Sequence, residues 1–331
     1  MAAFKVAAVQ AAPAFLDLAR GVTRTVELIE QAAAADVRLL AFPECWLPGY
    51  PWWIWLDSTA ANLGYIVPYA TNALVDGSAE LDRIRAAVRK ADIFVSLGAA
   101  ERDHGSLYIA QFLIGPGGEL LQKRRKLKPT HMERTVFGEG DGSGIRCVDT
   151  TLGRIGQLNC WEHLQPLLKY AMYADHEQIH VAAWPSFSCY PAAYALGPEV
   201  NTGASRQYAV EGQCLVVAPC GVVSPAMLDR LVHNQAQAEL LLAGGGHARI
   251  YGPDGRSLAE PLPPDAEGLL IAEFDPAMIT LAKAFADPVG HYARPDVLRL
   301  WFNPHAQPVR TLAEAPAPPV TTGAMEPAES A

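Results

Sequence analysis

Two short apolar runs, residues 4–9 and 37–42, flank a stretch in which Val22, Val26, Ile29 and Ala33 recur at helical spacing. Arg24, Glu27, Glu30 and Gln31 occupy the other faces of that helix. A strand, an amphipathic helix and a second strand in this order require a crossover, and a crossover joins strands that run parallel. The alternation continues. A helix over residues 81–90 leads to a strand at 93–97. A strand at 154–159 precedes a helix at 164–173 and an apolar run at 179–183, and a helix at 202–211 leads into a strand at 214–218. Two hairpins interrupt the pattern. One pairs residues 108–114 with 119–125 around Gly115-Pro116-Gly117-Gly118, the other 247–251 with 256–260 around Gly252-Pro253-Asp254-Gly255. Glycine reaches positive φ freely and proline presets its own φ, so both sequences are strong turn signals. Crossovers and hairpins together predict an α/β fold, with a mixed sheet or two sheets packed together and helices outside.

Half of the 331 residues are hydrophobic, enough to bury a large core. No linker composition appears before about residue 308, so residues 1–308 read as one domain. Residues 309–331, rich in Ala, Pro, Glu and Thr and without an aromatic, are expected to be a disordered tail. A formal net charge of −9 weighs against a general affinity for nucleic acid. The N-terminus lacks the basic start and long apolar centre of a secretory signal, and no apolar run is long enough to span a membrane. Cys45, Cys147, Cys160, Cys189, Cys214 and Cys220 contain no C-x-x-C pair, which removes zinc-ribbon and thioredoxin readings. A chain of this size folds without disulfides, so a soluble protein with reduced thiols in the cytoplasm is expected.

Cys160 lies where the strand 154–159 ends and a helix begins. A thiol there feels the positive end of a helix dipole, which favours thiolate, and nearby backbone N–H groups can hold an anion. The alternative is a structural, buried cysteine. Glu44 follows Phe42-Pro43 at the end of another strand, the place where active groups gather in open α/β sheets; desolvated, it would serve as a base, and solvated, it would be an ordinary loop glutamate. Lys126 sits in Lys123-Arg124-Arg125-Lys126-Leu127-Lys128, and spacing alone does not choose which lysine points inward. Glu133 shares that ambiguity and could pair with the adjacent basic residues. The glycine-rich stretch 138–144 carries two carboxylates, lacks the Lys-Ser/Thr ending of a P-loop and precedes a strand, so it is not read as a nucleotide site. His176-Glu177-Gln178-Ile179-His180 spells H-E-x-x-H, but His180 already belongs to a strand, so a zinc site on one helix face is not expected.

Taken in order, Phe42-Pro43-Glu44, the segment from Lys123 to Glu133, and Asn159-Cys160-Trp161-Glu162 closely resemble the nitrilase superfamily, over residues 4–303. The resemblance implies a four-layer α-β-β-α sandwich and a homodimer that builds larger homo-oligomers or spirals, with no catalytic metal and no cofactor. It implies Cys160 as nucleophile, Glu44 as base, Lys126 as the inward lysine and Glu133 as a second glutamate orienting the lysine or the substrate. Cys160-Trp161-Glu162-His163, Pro129-Thr130-His131-Met132-Glu133-Arg134, Pro48-Gly49-Tyr50-Pro51-Trp52-Trp53 and His291-Tyr292-Ala293-Arg294-Pro295-Asp296 look like nitrilases proper and cyanide-degrading enzymes. The implied activity is hydrolysis of an organic nitrile to carboxylic acid and ammonia through a Cys160 thioimidate and thioester. Cyanide hydration, or amide and carbamoyl hydrolysis on the same scaffold, are the alternatives; a non-enzymatic scaffold would be expected to have lost one of Glu44, Lys126 and Cys160. Trp53, His131, Trp161, Trp184 and Pro185 are expected around the substrate.

Overall fold

The computed structural model describes residues 2–310, so all but the first two residues of the expected tail lie outside the described residues. In chain order the elements are β1 (Phe4–Ala11), α1 (Leu18–Ala34), β2 (Val37–Ala41), α2 (Leu63–Asn72), α3 (Ala79–Ala91), β3 (Phe94–Asp103), β4 (Ser106–Ile114), β5 (Leu120–Arg125), β6 (Phe137–Gly138), β7 (Val148–Thr150), β8 (Gly153–Asn159), α4 (Pro166–Ala174), β9 (Ile179–Ala183), α5 (Pro198–Gly212), β10 (Leu215–Ala218), β11 (Cys220–Gly221), α6 (Pro225–Leu231), α7 (Gln235–Leu240), β12 (Arg249–Tyr251), β13 (Gly268–Phe274) and α8 (Ala277–Phe285). One sheet runs β11-β1-β2-β3-β4-β5, with β13 beside β1 and β6 beside β4; the other runs β12-β10-β9-β8-β7. The crossover units make β1, β2 and β3 parallel, and likewise β8, β9 and β10. The hairpins, β12 and β13 supply the antiparallel pairs, so both sheets are mixed.

The period of two along each strand decides what faces what. Val6 and Ala8 of β1, with Leu39 and Ala41 of β2, join Ile155, Val181 and Val217 in one buried cluster between the sheets. Their neighbours Ala7, Val9 and Leu40 pack instead on Val22 and Ile29 of α1 and on Ile84 and Val88 of α3. On the far side of the second sheet, α4 and α5 contribute Met172, Tyr208 and Ala209. The order through the molecule is therefore helix, sheet, sheet, helix. The seam between the sheets also carries polar side chains that satisfy one another. Ser96 Oγ donates to Gln157 Oε1 at 2.7 Å, Gln157 Nε2 to Gln122 Oε1 at 3.2 Å and Arg124 Nη1 to Gln111 Oε1 at 2.8 Å.

The second hairpin differs from expectation. The turn at residues 252–255 forms, with the Gly252 N–H donating to Arg256 O at 2.9 Å, but the return is one bridge between Tyr251 and Ser257 and no strand. Pro261, Pro263 and Pro264 follow, and proline has no N–H to give to a ladder. The chain instead crosses to β13, which runs antiparallel to β1 from Phe4↔Phe274 to Gln10↔Gly268.

The loop after β2 lies against β3 because residue 98 is glycine. A Cβ there would sit 2.0 Å from Pro43 O and 3.2 Å from Glu44 Cα. Gly98→Ala is expected to push this loop away and to lower the free energy of unfolding by about 1–3 kcal/mol, read by urea denaturation. An unchanged midpoint would show that the loop does not depend on that close approach.

Candidate active site

Three strand ends converge on one buried point. Glu44 follows β2, Lys126 follows β5 and Cys160 follows β8, all at carboxyl ends. Lys126 Nζ donates to Glu44 Oε1 at 2.9 Å and to Glu133 Oε2 at 2.8 Å. The Lys126 and Glu44 side chains are fully buried. Around Glu133, Tyr50 Oη donates to Oε1 at 2.7 Å, the Thr130 N–H to Oε2 at 2.6 Å, and Trp55 Nε1 to Tyr50 Oη at 3.2 Å. The second oxygen of Glu44, Oε2, has no hydrogen-bond partner. The alternation of β5 separates the basic residues: Arg124 and Lys126 turn inward, Lys123 and Arg125 turn outward onto Glu101, and Lys128 pairs with Glu139 at the surface.

Cys160 opens a 3₁₀ turn, Cys160–Leu164, that leads into α4. Its φ of 49° places a non-glycine residue in the left-handed region, a strained bend that turns a side chain out at the end of a strand. Glu162, three residues after Asn159, accepts the Asn159 N–H at 2.8 Å and fixes the start of the turn. The expected lowering of the thiol pKa by a helix dipole is overturned. Burial pushes the Cys160 thiol well above its ordinary value, Glu44 and Glu133 add to that, and the opposing pull of Lys126 and of the Trp161 N–H is smaller. A short 3₁₀ turn has too few aligned peptides to offset such desolvation. That balance favours the thiol form of Cys160 over the thiolate.

Glu44 has the matching property. Burial pushes its pKa up to about 8, against the pull of Lys126 and with a push from Glu133. Burial pulls the Lys126 ammonium down, but Glu133 and Glu44 outweigh it and hold its pKa well above the ordinary lysine value. One cation thus faces two carboxylates in a dry site, and Glu44 is the carboxyl group poised to take up or release a proton near neutral pH.

A cavity of about 50 Å³ opens at Cys160 between Trp161, Trp184, Pro185, Tyr50 and Glu133. It adjoins an outer vestibule of about 540 Å³ bounded by Trp55, His131, Met132, Tyr190 and Leu196, with Trp55, Thr130, Trp161 and Leu196 on both. The two inner indoles are anchored to α5, Trp161 Nε1 on Asn201 Oδ1 at 3.0 Å and Trp184 Nε1 on Ser205 Oγ at 2.9 Å. Of the residues expected around a substrate, Trp161, Trp184 and Pro185 line the inner cavity and His131 the vestibule, stacked on Trp55. Trp53 lies elsewhere. It is buried in the core, stacked on Tyr65 at 5.5 Å and edge-on to Tyr69, because the turn Trp52–Trp55 sends Trp52 and Trp55 toward the cavity and Trp53 away. Tyr50, Trp55 and Thr130 were missed from sequence, since nothing in an aromatic run says which ring faces inward. His176 is exposed at a turn while His180 is buried on β9, so the H-E-x-x-H histidines do not share a face.

The carbon-nitrogen hydrolase family model matches residues 5–284. The chain is 57% identical to a protein named nitrilase from Pseudomonas syringae pv. syringae, over 97% of this chain and 96% of that protein. It is 51% identical to an aliphatic nitrilase of Rhodococcus rhodochrous, over 93% of this chain and 85% of that one. Its fold matches the crystal structure of a carbon-nitrogen hydrolase from Helicobacter pylori, with a TM-score of 0.68 at 17% identity, covering 89% of this chain and 96% of that one.

The raised pKa of Glu44 has a direct readout. Difference infrared titration is expected to show a buried carboxylic acid that is protonated at lower pH and ionises at about 8, and to lose that band in Glu44→Gln. A band that ionises in the ordinary glutamate range would contradict the balance of burial and charge described here.

Proposed function

This chain belongs to the carbon-nitrogen hydrolase family, and we propose that it hydrolyses an organic nitrile to the carboxylic acid and ammonia, with Cys160 as nucleophile, Glu44 as base, and Lys126 and Glu133 completing the site. The observation that carries the roles is the Lys126 ammonium held between Glu44 and Glu133, buried, beside a thiol at a strained bend. The similar proteins named nitrilase support the reaction class. In the first step Glu44 accepts the Cys160 proton as sulfur attacks the nitrile carbon. The developing negative charge on nitrogen is met by Lys126 and by the Trp161 N–H, and nitrogen takes the proton back to give a thioimidate. Water adds with Glu44 again as base, the carbon–nitrogen bond breaks and ammonia leaves a thioester. A second water adds, sulfur departs, and the acid and the free thiol are released. If sulfur leaves the first tetrahedral adduct instead of nitrogen, the product is the amide. Glu133, fixed by Tyr50 and Thr130, orients the lysine.

The split between a tight inner cavity and an apolar vestibule favours an organic nitrile over cyanide. A linear C≡N group fits beside Cys160 while Trp55, Met132, Tyr190 and Leu196 take up an apolar R group. The expected test is ammonia release from an aliphatic nitrile, phenylacetonitrile, benzonitrile, cyanide and the matching amides. Turnover of at least one organic nitrile, reduced about a thousandfold or more in Cys160→Ala, is the expected result. Reaction with cyanide or amides alone would overturn the substrate class, and near-normal turnover in the variant would overturn the nucleophile.

We further infer a single catalytic domain over residues 1–308 that assembles as a homodimer and larger homo-oligomers in the cytoplasm. Leu167 of α4 and Leu298 and Trp301 near the C-terminus leave exposed apolar surface for a second copy to cover. All six cysteines are free and buried, as a reducing compartment allows, and no helix among the described residues is long and apolar enough to cross a membrane. Light scattering on the purified protein and fractionation of the native cell check this. A monomer, or activity outside the cytoplasmic fraction, would refute it.

A further inference from the structure

Beneath the nucleophile bend, on the face of the second sheet that meets α4 and α5, lies a line of buried polar side chains that the mechanism above does not use. His163 Nδ1 is 2.6 Å from Cys160 O, His163 Nε2 is 2.8 Å from His180 Nε2, His180 Nδ1 is 2.7 Å from Glu177 Oε1, and Tyr208 Oη donates to Glu177 Oε2 at 2.5 Å. All four side chains are essentially excluded from solvent. We infer that Tyr208, Glu177, His180 and His163 are positioning residues, a one-way chain of hydrogen-bond donors that holds the Cys160–Trp161 peptide and aims its N–H at the anion formed when sulfur attacks. The chain rests on the nitrile reading only for the identity of that anion.

Proton accounting fixes the direction. A carbonyl oxygen only accepts, so His163 Nδ1 carries a hydrogen, and a neutral imidazole then presents a lone pair at Nε2. That lone pair must receive the Nε2–H of His180, which leaves His180 Nδ1 as an acceptor facing Glu177 Oε1. The contact is satisfied when Glu177 is a neutral acid donating to His180 while its other oxygen accepts from Tyr208. The alternatives, an imidazolium on His163 or on His180 against a glutamate anion, put a cation in the same buried region as the Arg124 guanidinium. Burial and Arg124 both hold His180 well below its ordinary pKa, with Glu162 opposing, and burial pushes Glu177 well above the usual carboxylate range, with Asp175 adding to it and Tyr208 opposing. Burial and His180 likewise hold His163 low. Each donor then points toward Cys160, and aligned hydrogen bonds polarise one another.

The far end of the chain bears on chemistry through the rigidity of one peptide plane. In a trans peptide C=O and N–H point in opposite directions, so a bond gripping Cys160 O on one side sets the Trp161 N–H on the other. That N–H is the one felt by the Cys160 thiol. A donor on the carbonyl also makes the same peptide's N–H a stronger donor. The local sequence makes room for this arrangement. A Cβ on Gly156 of β8 would lie 1.9 Å from Glu177 Oε1 and 2.6 Å from Met172 Cε, so glycine there lets the carboxyl lie against the sheet. The ring of His180 stacks on Tyr208 at 3.7 Å, and His163 stacks on Trp184 at 5.2 Å, which fixes both imidazoles in the line.

The test uses the full chain with phenylacetonitrile and butyronitrile as substrates and phenylacetaldehyde and butyraldehyde as probes. Each aldehyde adds the Cys160 thiol and presents an oxygen to the same N–H. In Glu177→Gln the amide N–H₂ donates to His180 and the amide oxygen accepts from Tyr208, so kcat and aldehyde affinity should stay within about twofold of wild type. Glu177→Leu ends the chain. It should lower kcat about tenfold and weaken the aldehyde by the same factor, with KM unchanged. Tyr208→Phe, a smaller change that decides the matter if Glu177→Leu fails to fold, should lower kcat about threefold in the same pattern. The inference is overturned if Glu177→Gln loses as much as Glu177→Leu, since Glu177 would then be ionised. It is equally overturned if the truncating variants leave kcat and aldehyde affinity untouched or raise KM alone. Wild-type inactivity toward both nitriles would strike the nitrile reading, and aldehyde affinity would still judge the chain.

Discussion

The buried ion pair between Arg124 and Glu162 is the interaction on which the site's geometry depends. Arg124 reaches from β5 across the seam and gives two hydrogen bonds to the carboxylate, at 2.9 and 2.7 Å, and a third to Gln111 on β4. The same carboxylate accepts the Leu127 N–H, just beyond Lys126, and the Asn159 N–H, just before Cys160, both at 2.8 Å. One side chain thus joins the strand end that carries the ammonium to the strand end that carries the thiol. Burial alone would raise the pKa of Glu162; Arg124 and the two backbone N–H groups outweigh it, so the pKa lies below the usual value. A depressed carboxylate stabilises the fold above its unfolded pKa, and that contribution is lost only as pH falls through the lower folded value. Removing one partner of a buried pair costs about 3–5 kcal/mol, because the other is left charged and unsolvated. The pair's worth lies in registering two sheets to each other.

Within that frame the reactive groups are governed by competition between desolvation and charge. Desolvation disfavours every ion at the centre, and a single lysine cannot neutralise two carboxylates and a thiolate at once. Glu44 lies where these effects come closest to balance, with one oxygen on Lys126 and the other free of any partner. Burial therefore leaves the Glu44 pKa pushed up to about 8 and that of the Cys160 thiol well above its ordinary value.

Much of this was legible in the chain, and the gaps have physical reasons. The crossover units and the first hairpin announce themselves because apolar residues must alternate or recur to be buried. The second hairpin misled because its turn chemistry is sound, while its return holds one bridge before the chain passes through the prolines to β13. Choosing among Lys123, Lys126 and Lys128 was beyond any hydrophobic pattern, since the inward positions of β5 are Gln122 and Arg124, polar residues satisfied by a seam that is itself polar. Trp53 was misplaced because four residues of a 3₁₀ turn point in different directions and three of them are indoles. His180 and Glu177 stood out in the sequence for the wrong reason. Their spacing evokes a helical metal site, but across a turn into a strand it brings carboxyl and imidazole together directly.

Part of the vestibule wall comes from chain that holds none of the buried charges. Tyr190 and Leu196 belong to the segment between β9 and α5, whereas Trp55 is bonded through Tyr50 to Glu133, and His131 and Met132 share a turn with that carboxyl. Glu44, Lys126 and Cys160 are fixed instead by strand ends and by Arg124 and Glu162. Changes at well-separated positions combine nearly independently. Substitutions at Tyr190 and Leu196 can therefore reshape the rim while leaving the buried charges in place. Trp161, shared by both cavities and adjacent to Cys160, is the residue at which rim and interior meet.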